Sequence, residues 1–190
     1  VRALKMHGGG PKVTPGKPLA SAYTQEDKAL VKKGVANLAA HLAVLKKFGV
    51  PAVVAINAFP TDSQAEWDLI REAAIAAGAA DAVVTRNWAD GGEGAAELAR
   101  AVDKASSGPN KANFLYPLDL PLKAKIERIA TEVYGADKVS YSPEAEASLE
   151  TFSKLGYSGL PICMAKTQYS FSHDPALKGA PKGFTFPSPT

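Results

Sequence analysis

Phe59 and Trp88 are the residues whose type and spacing point most directly at a ligand. Each is a large ring in a polar stretch, Asn57-Ala58-Phe59-Pro60-Thr61-Asp62 and Arg86-Asn87-Trp88-Ala89-Asp90. Each stretch follows a short apolar run of strand length, Pro51–Asn57 and Ala82–Thr85. Two rings held about 7 Å apart, twice the ~3.5 Å contact distance between carbon atoms, accept a flat heteroaromatic ring between them. Two rings at strand ends also suit the closing of a core, and residue type alone leaves both readings open. Pro60 stiffens the turn that presents Phe59. Asp62 fits either a helix start or a hydrogen bond to a ligand edge, and the start is favoured because Asp is a strong N-cap residue.

Other groups carry weaker signals. Gly91, Gly92 and Gly94 precede a helical segment, where exposed N–H groups receive an anion or the glycines simply permit a tight turn. Lys166 and Gln168 sit in a polar stretch after the apolar run Leu160–Ala165. They are candidates to neutralise and orient a phosphate or carboxylate, against the alternative of a solvated loop. Gly16-Lys17 is followed by Pro18, and its spacing from Gly10 does not match G-x-x-x-x-G-K-[ST], so no phosphate loop is read there. His41 lies off the apolar stripe of its helix and is expected to face solvent. His173-Asp174 is not taken as a catalytic base, and no metal-ligand spacing is found. The single Cys163, among Pro161, Ile162 and Met164, is expected to be buried.

The elements that must position these groups follow from periodicity. Pro51–Asn57 reads as a strand buried on both faces, and Ser63–Ala77 as a helix with Trp67, Ile70 and Ala74 inward. Its capping box is Ser63-x-x-Glu66 and its stop is Gly78. With Ala82–Thr85 this makes a βαβ unit, whose strand ends share one edge of the sheet, roughly 5 Å apart if adjacent and 10 Å if one strand intervenes. Thr24–Lys47 is predicted as the longest helix, opened by Thr24-x-x-Asp27, with Val31, Val35, Leu38, Leu42 and Leu45 on one stripe. Ala95–Lys104 is a helix with Leu98 and Val102 inward. Leu120–Tyr134 is another, with Asp119 as a candidate cap. Val139–Tyr141 is a brief strand, and Ser142 starts a helix with Leu149 and Phe152 inward. Leu160–Ala165 is a buried strand and Phe184–Phe186 a short one. The predicted class is α/β: a mostly parallel sheet with helices on both faces, βαβ units and two small sub-domains.

The chain has 190 residues, 46% hydrophobic and 22% charged, with a net charge of +3. That charge is too small and too dispersed for a nucleic-acid partner. No apolar run reaches membrane-spanning length and no signal-like start is present, so a cytoplasmic setting is expected. Ser106–Asn110 is the polar, turn-prone boundary inside the chain.

F-P-T-D at Phe59–Asp62, W-A-x-G-G-E-G at Trp88–Gly94 and M-A-K-T-Q-Y-S at Met164–Ser170 resemble formate–tetrahydrofolate ligase. K-M-H-G-G at Lys5–Gly9, Y-G-A-D at Tyr134–Asp137 and L-P-I-C-M-A-K at Leu160–Lys166 extend the resemblance, in order, over almost the whole chain. It implies an ATP-dependent ligase that joins formate to N10 of tetrahydrofolate through formyl phosphate, with Mg²⁺ at the phosphates and a homo-oligomeric assembly. It implies that Phe59 and Trp88 stack on the folate. It also implies a fragment: residues 1–24 as the loop-rich end of a truncated nucleotide domain, entered mid-strand at Val1–Lys5; 25–107 as a folate-binding βαβ sub-domain; and 108–190 as a second, truncated α/β sub-domain. ATP and Mg²⁺ would then be bound mainly by the missing P-loop domain, with catalytic residues outside this chain and the isolated fragment inactive. A purine- or flavin-binding α/β module, or a subunit-contact module without a ligand, are the other classes, and neither explains the ordered motifs.

Overall fold

A computed structural model describes residues 1–109, 111–164 and 170–188. The chain divides into two compact units, Val1–Asn113 and Phe114–Thr190.

In the first unit, α1 (Arg2–His7), the single turn α2 (Ser21–Thr24) and α3 (Lys28–Lys47) precede β1 (Val53–Asn57), α4 (Gln64–Ala76) and β2 (Asp81–Thr85). The short α5 (Asn87–Asp90) and then α6 (Ala96–Ser106) follow. β1 and β2 are parallel neighbours, paired from Val53↔Asp81 to Asn57↔Thr85, so Phe59 and Trp88 leave adjacent strands at one edge. Val31, Leu42, Ile56, Ile70, Ala74, Ala79 and Ala82 form the core, with Val35, Leu38 and Trp67 packed against it. α4 is positioned by its first turn: Glu66 N–H donates to Ser63 Oγ and Ser63 N–H to Glu66 Oε2, both at 3.2 Å. This is the capping box read from the sequence.

α1 and α3 touch backbone to backbone. A Cβ at Gly34 would lie 1.8 Å from the Leu4 carbonyl oxygen, and one at Gly8 would lie 2.0 Å from that of Leu30. Only residues without a side chain fit either position.

The second unit holds α7 (Leu122–Glu132), β3 (Lys138–Ser140), α8 (Pro143–Lys154) and β4 (Thr185–Pro187). β3 and β4 pair in parallel, Lys138↔Thr185 to Ser140↔Pro187. Ala130, Ala136 and Phe186 are its buried cluster, and the Tyr134 ring stacks on Phe186 with centroids 5.3 Å apart. Ser142 caps α8 by accepting from Ala145 N–H at 3.1 Å. The fully buried Lys125 donates to the carbonyls of Ser158 and Leu160 at 2.5 and 2.9 Å. The architecture is α/β, built from two parallel strand pairs with helices packed against them.

Several local expectations are corrected. Val1–Lys5 is not a strand but leads into α1. α3 begins at Lys28, because Asp27 accepts from Leu30 N–H at 2.9 Å, and Thr24 instead ends α2. β1 is not buried on both faces, since alternate residues Ala55 and Asn57 are exposed. Asp119 does not cap α7, whose N-cap position is Pro121 and has no side-chain cap. Val102 and Phe152 point outward, exposed by 49% and 46%. Among the described residues no strand pairs with Leu160–Met164, and Cys163 in it is exposed rather than buried, because it alternates with the half-buried Ile162 and Met164 and so falls on the outer side of the segment.

Candidate functional site

The site grows from the ends of β1 and β2. Past β1, Ala58 N–H still donates to the Thr85 carbonyl at 3.0 Å, and the chain then turns at Phe59–Asp62. Asp62 closes this turn from both sides: its N–H donates to the Phe59 carbonyl at 3.0 Å, and its Oδ2 accepts from Phe59 N–H at 2.9 Å. Pro60 lies inside the turn and fixes one of its φ angles. The expectation that Asp62 caps the helix is therefore corrected. Ser63 holds the N-cap position, and the Asp62 carboxylate spends its bond on the turn that presents Phe59.

Past β2, Trp88 sits in the four-residue helix α5 rather than in a loop. Its indole Nε1 donates to the Ala58 carbonyl at 2.7 Å, tying the two strand ends together. The Phe59 and Trp88 rings are stacked, with centroids 5.9 Å apart and planes 24° from parallel. Trp88 is 53% exposed, so the pair opens to solvent on the indole side. Gly91 follows with φ +59°, a conformation that favours glycine, and lets the chain reverse after α5. Gly92 has open space around it. Gly94 is pressed against the Arg86 backbone, where a Cβ would lie 2.7 Å from the Arg86 carbonyl carbon and oxygen. Arg86 N–H donates to the Gly94 carbonyl at 3.0 Å and Thr85 Oγ1 to the same oxygen at 3.1 Å. Lys166 and Gln168 lie outside the described residues.

Three residues that sequence reading missed frame this site. The Arg2 guanidinium carbon lies 3.9 Å from the Phe59 ring centroid, a cation–π contact, and Arg2 Nη2 donates to Thr61 Oγ1 at 3.5 Å. Lys5, one turn along α1, meets Glu66 of α4 at 2.7 Å, with both side chains 0% exposed. Lys5 also donates to the Gln25 carbonyl at 2.6 Å, and Glu66 Oε1 accepts from Asp27 N–H at 2.8 Å. Burial pushes the Glu66 carboxyl up. The hydrogen bonds from Asp27 N–H, Lys5 and Ser63 N–H outweigh it and hold the group below the usual 4.5. A buried ion pair this well satisfied fixes α1 against α4, and α1 carries Arg2 to the ring. The signals in the sequence are Glu66 in the capping box and Lys5 at the head of K-M-H-G-G, neither of which points to the pairing.

Every part of this frame falls within a single family match. The sequence model of formate–tetrahydrofolate ligase covers residues 1–188. The chain belongs to this family. Among ligase-family relatives, the cytoplasmic C-1-tetrahydrofolate synthase of Schizosaccharomyces pombe is 55% identical over 98% of this chain, which is 20% of that protein. The mitochondrial C-1-tetrahydrofolate synthase of Saccharomyces cerevisiae is 52% identical, over 98% of this chain and 19% of that protein. The formate–tetrahydrofolate ligase of Spinacia oleracea is 54% identical, over 98% of this chain and 29% of that protein. The chain thus spans 19% to 29% of the length of these relatives.

Proposed function

We propose that this chain supplies the folate platform of an ATP-dependent formate–tetrahydrofolate ligase, with Phe59 and Trp88 holding the pteridine. The supporting observation is the ring pair itself: two aromatic rings stacked at the carboxyl ends of adjacent parallel strands, where ligands of open α/β sheets collect. At 5.9 Å the rings touch each other, so a plane entering between them requires their separation to increase by about an ångström, to the ~7 Å of two ring contacts. Trp88 at the exposed rim gives that plane an approach.

In the reaction this reading implies, a formate oxygen attacks the γ-phosphorus of ATP, releasing ADP and giving formyl phosphate. N10 of tetrahydrofolate then attacks the formyl carbon, phosphate leaves, and the nitrogen loses its proton. The second step is governed by positioning the amine against the acyl carbon, and gripping the pteridine plane restricts its freedom. The described residues hold no cluster of carboxylates, histidines or cysteines suited to a metal, and the chain has no G-x-x-x-x-G-K-[ST]. We assign ATP and Mg²⁺ to other parts of the ligase. Gly91, Gly92 and Gly94, together with Lys166 and Gln168, are the candidates for an anionic portion of the ligand.

Calorimetric titration of the chain with tetrahydrofolate, and separately with adenosine and a flavin, tests the proposal. Tetrahydrofolate binding that Phe59→Ala and Trp88→Ala both weaken supports it. Equal or tighter binding of adenosine or flavin, or folate binding indifferent to both substitutions, overturns it.

A further inference from the structure

Leu160–Met164 pairs with no described strand, yet one side of its main chain is held. Lys125 Nζ donates to the carbonyls of Ser158 and Leu160 at 2.5 and 2.9 Å. The Tyr116 hydroxyl accepts from Ile162 N–H at 2.9 Å and donates to the Ile162 carbonyl at 3.4 Å. Tyr134 Oη donates to the Met164 carbonyl at 2.8 Å. The positions held are 158, 160, 162 and 164, every second residue, as along one edge of a strand. Leu160 has the extended backbone of such a strand, with φ −79° and ψ 150°. Three side chains do at this edge what a neighbouring strand does in a sheet.

The other edge is open. Among the described residues nothing bonds to Cys163 N–H or to the carbonyls of Pro161 and Cys163. An apolar groove of about 380 Å³ runs on this side, lined by Pro161 and Cys163 together with Leu122, Ile126, Leu149 and Phe152, and by none of the three clamping side chains. Phe152, Tyr157 and Leu160 stand exposed around it, Leu160 by 55%. Unspent main-chain groups are a template for a further strand, and clustered exposed apolar side chains mark an interaction surface. L-P-I-C-M-A is apolar at every position, the pattern of a strand covered on both faces, and the described residues leave it partly uncovered.

We propose that Leu160–Met164 is an acceptor edge: a β-strand of the same ligase polypeptide, from outside these 190 residues, pairs with it at Cys163 and lays apolar side chains in the groove. The relatives argue for that occupant, because 98% of this chain matches only 19% to 29% of their length, and a family ligase therefore holds ample chain to supply a strand. A second copy of this edge suits it less well. Pro161 offers no N–H, so two such edges face to face would exchange few bonds. The proposal rests on the family match and is independent of the folate reading.

The test compares the 190-residue chain with a complete ligase containing it. Iodoacetamide labelling of Cys163, read by mass on its peptide, is expected to be rapid in the chain and roughly a hundredfold or more slower in the ligase. Amide exchange of Cys163 N–H should slow in the same comparison, since pairing occupies that group. Phe152→Asp, at a position exposed in the chain, should leave the melting temperature of the chain unchanged and lower that of the ligase. Equal labelling in the two proteins overturns the proposal, as does an unchanged ligase melt in Phe152→Asp. So does a shielded thiol whose amide still exchanges freely, because the cover is then no paired strand. A 190-residue chain that is dimeric by light scattering, with Cys163 shielded, assigns the edge to a second copy and likewise overturns it.

Discussion

The Lys5 ammonium lies 2.7 Å from the Glu66 carboxylate, and neither side chain reaches solvent. Two charges removed from water stabilise a fold only if every donor and acceptor finds a partner, and here Gln25, Asp27 and Ser63 complete the set. Removing one member strands the other. Lys5→Met and Glu66→Gln are each expected to destabilise the first unit by about 3–5 kcal/mol, measured by urea unfolding. The double variant should lose less than the sum of the singles. Additive losses would show that the two groups do not interact.

The same carboxylate sets an acid limit. Glu66 is held below its ordinary 4.5 in the folded chain. Its contribution is fully present above that ordinary value and is lost as pH falls through the lower, folded one. The stability gap between wild type and Glu66→Gln should therefore be constant from neutral pH down to about 4.5 and shrink below it. A gap that closes on raising pH instead would contradict the sign of the shift.

Stacking of a base on an aromatic side chain is worth roughly 1–3 kcal/mol by alanine substitution, and the pteridine is a comparable two-ring plane. Trp88→Ala and Phe59→Ala are each expected to weaken tetrahydrofolate roughly 5- to 150-fold. ATP affinity, measured in a complete ligase carrying the same substitutions, should change little. Loss of both affinities together would point to a collapsed strand end rather than a lost ring.

Gly34→Ala should be disproportionately harmful for a one-carbon change. Its Cβ would meet the Leu4 carbonyl at 1.8 Å, backbone that cannot swing aside, so α1 must move off α3. We expect a stability loss of about 1–3 kcal/mol by chemical denaturation, the usual cost of overpacking. Because α1 carries Arg2, tetrahydrofolate affinity should fall as well. A surface substitution on α3 such as Lys33→Ala is the control.

How much of this was legible in the sequence depended on range. The Ser63–Glu66 capping box and the two strands of the βαβ unit are local patterns and could be read directly. Asp62 and Ser63 are adjacent strong capping residues, and only the folded turn decides that Ser63 takes the cap while Asp62 binds Phe59 N–H. α1 escaped notice because it is a single short helix with no side-chain cap, followed by three glycines. Lys5 and Glu66 meet only after α1 and α4 have packed on α3, and no spacing rule announces that. Leu160–Met164 misleads for the opposite reason: an apolar run of strand length reads as a buried strand, although no described strand pairs with it.

The hydrogen bond from Trp88 Nε1 to the Ala58 carbonyl makes the two rings unequal partners. The indole is fastened by a hydrogen bond to the main chain of the opposite strand end, whereas the phenyl ring is held by packing and by the Arg2 guanidinium over its face, with no hydrogen bond to break. Parting the pair without breaking that bond falls to rotation of the Phe59 side chain. Such rotations take picoseconds to nanoseconds where a side chain is free to move, far quicker than loop or domain motion. Folate capture should then run as one concentration-dependent exponential in stopped-flow fluorescence, with no slow opening phase. The platform would behave as a hinged plate facing a fixed one.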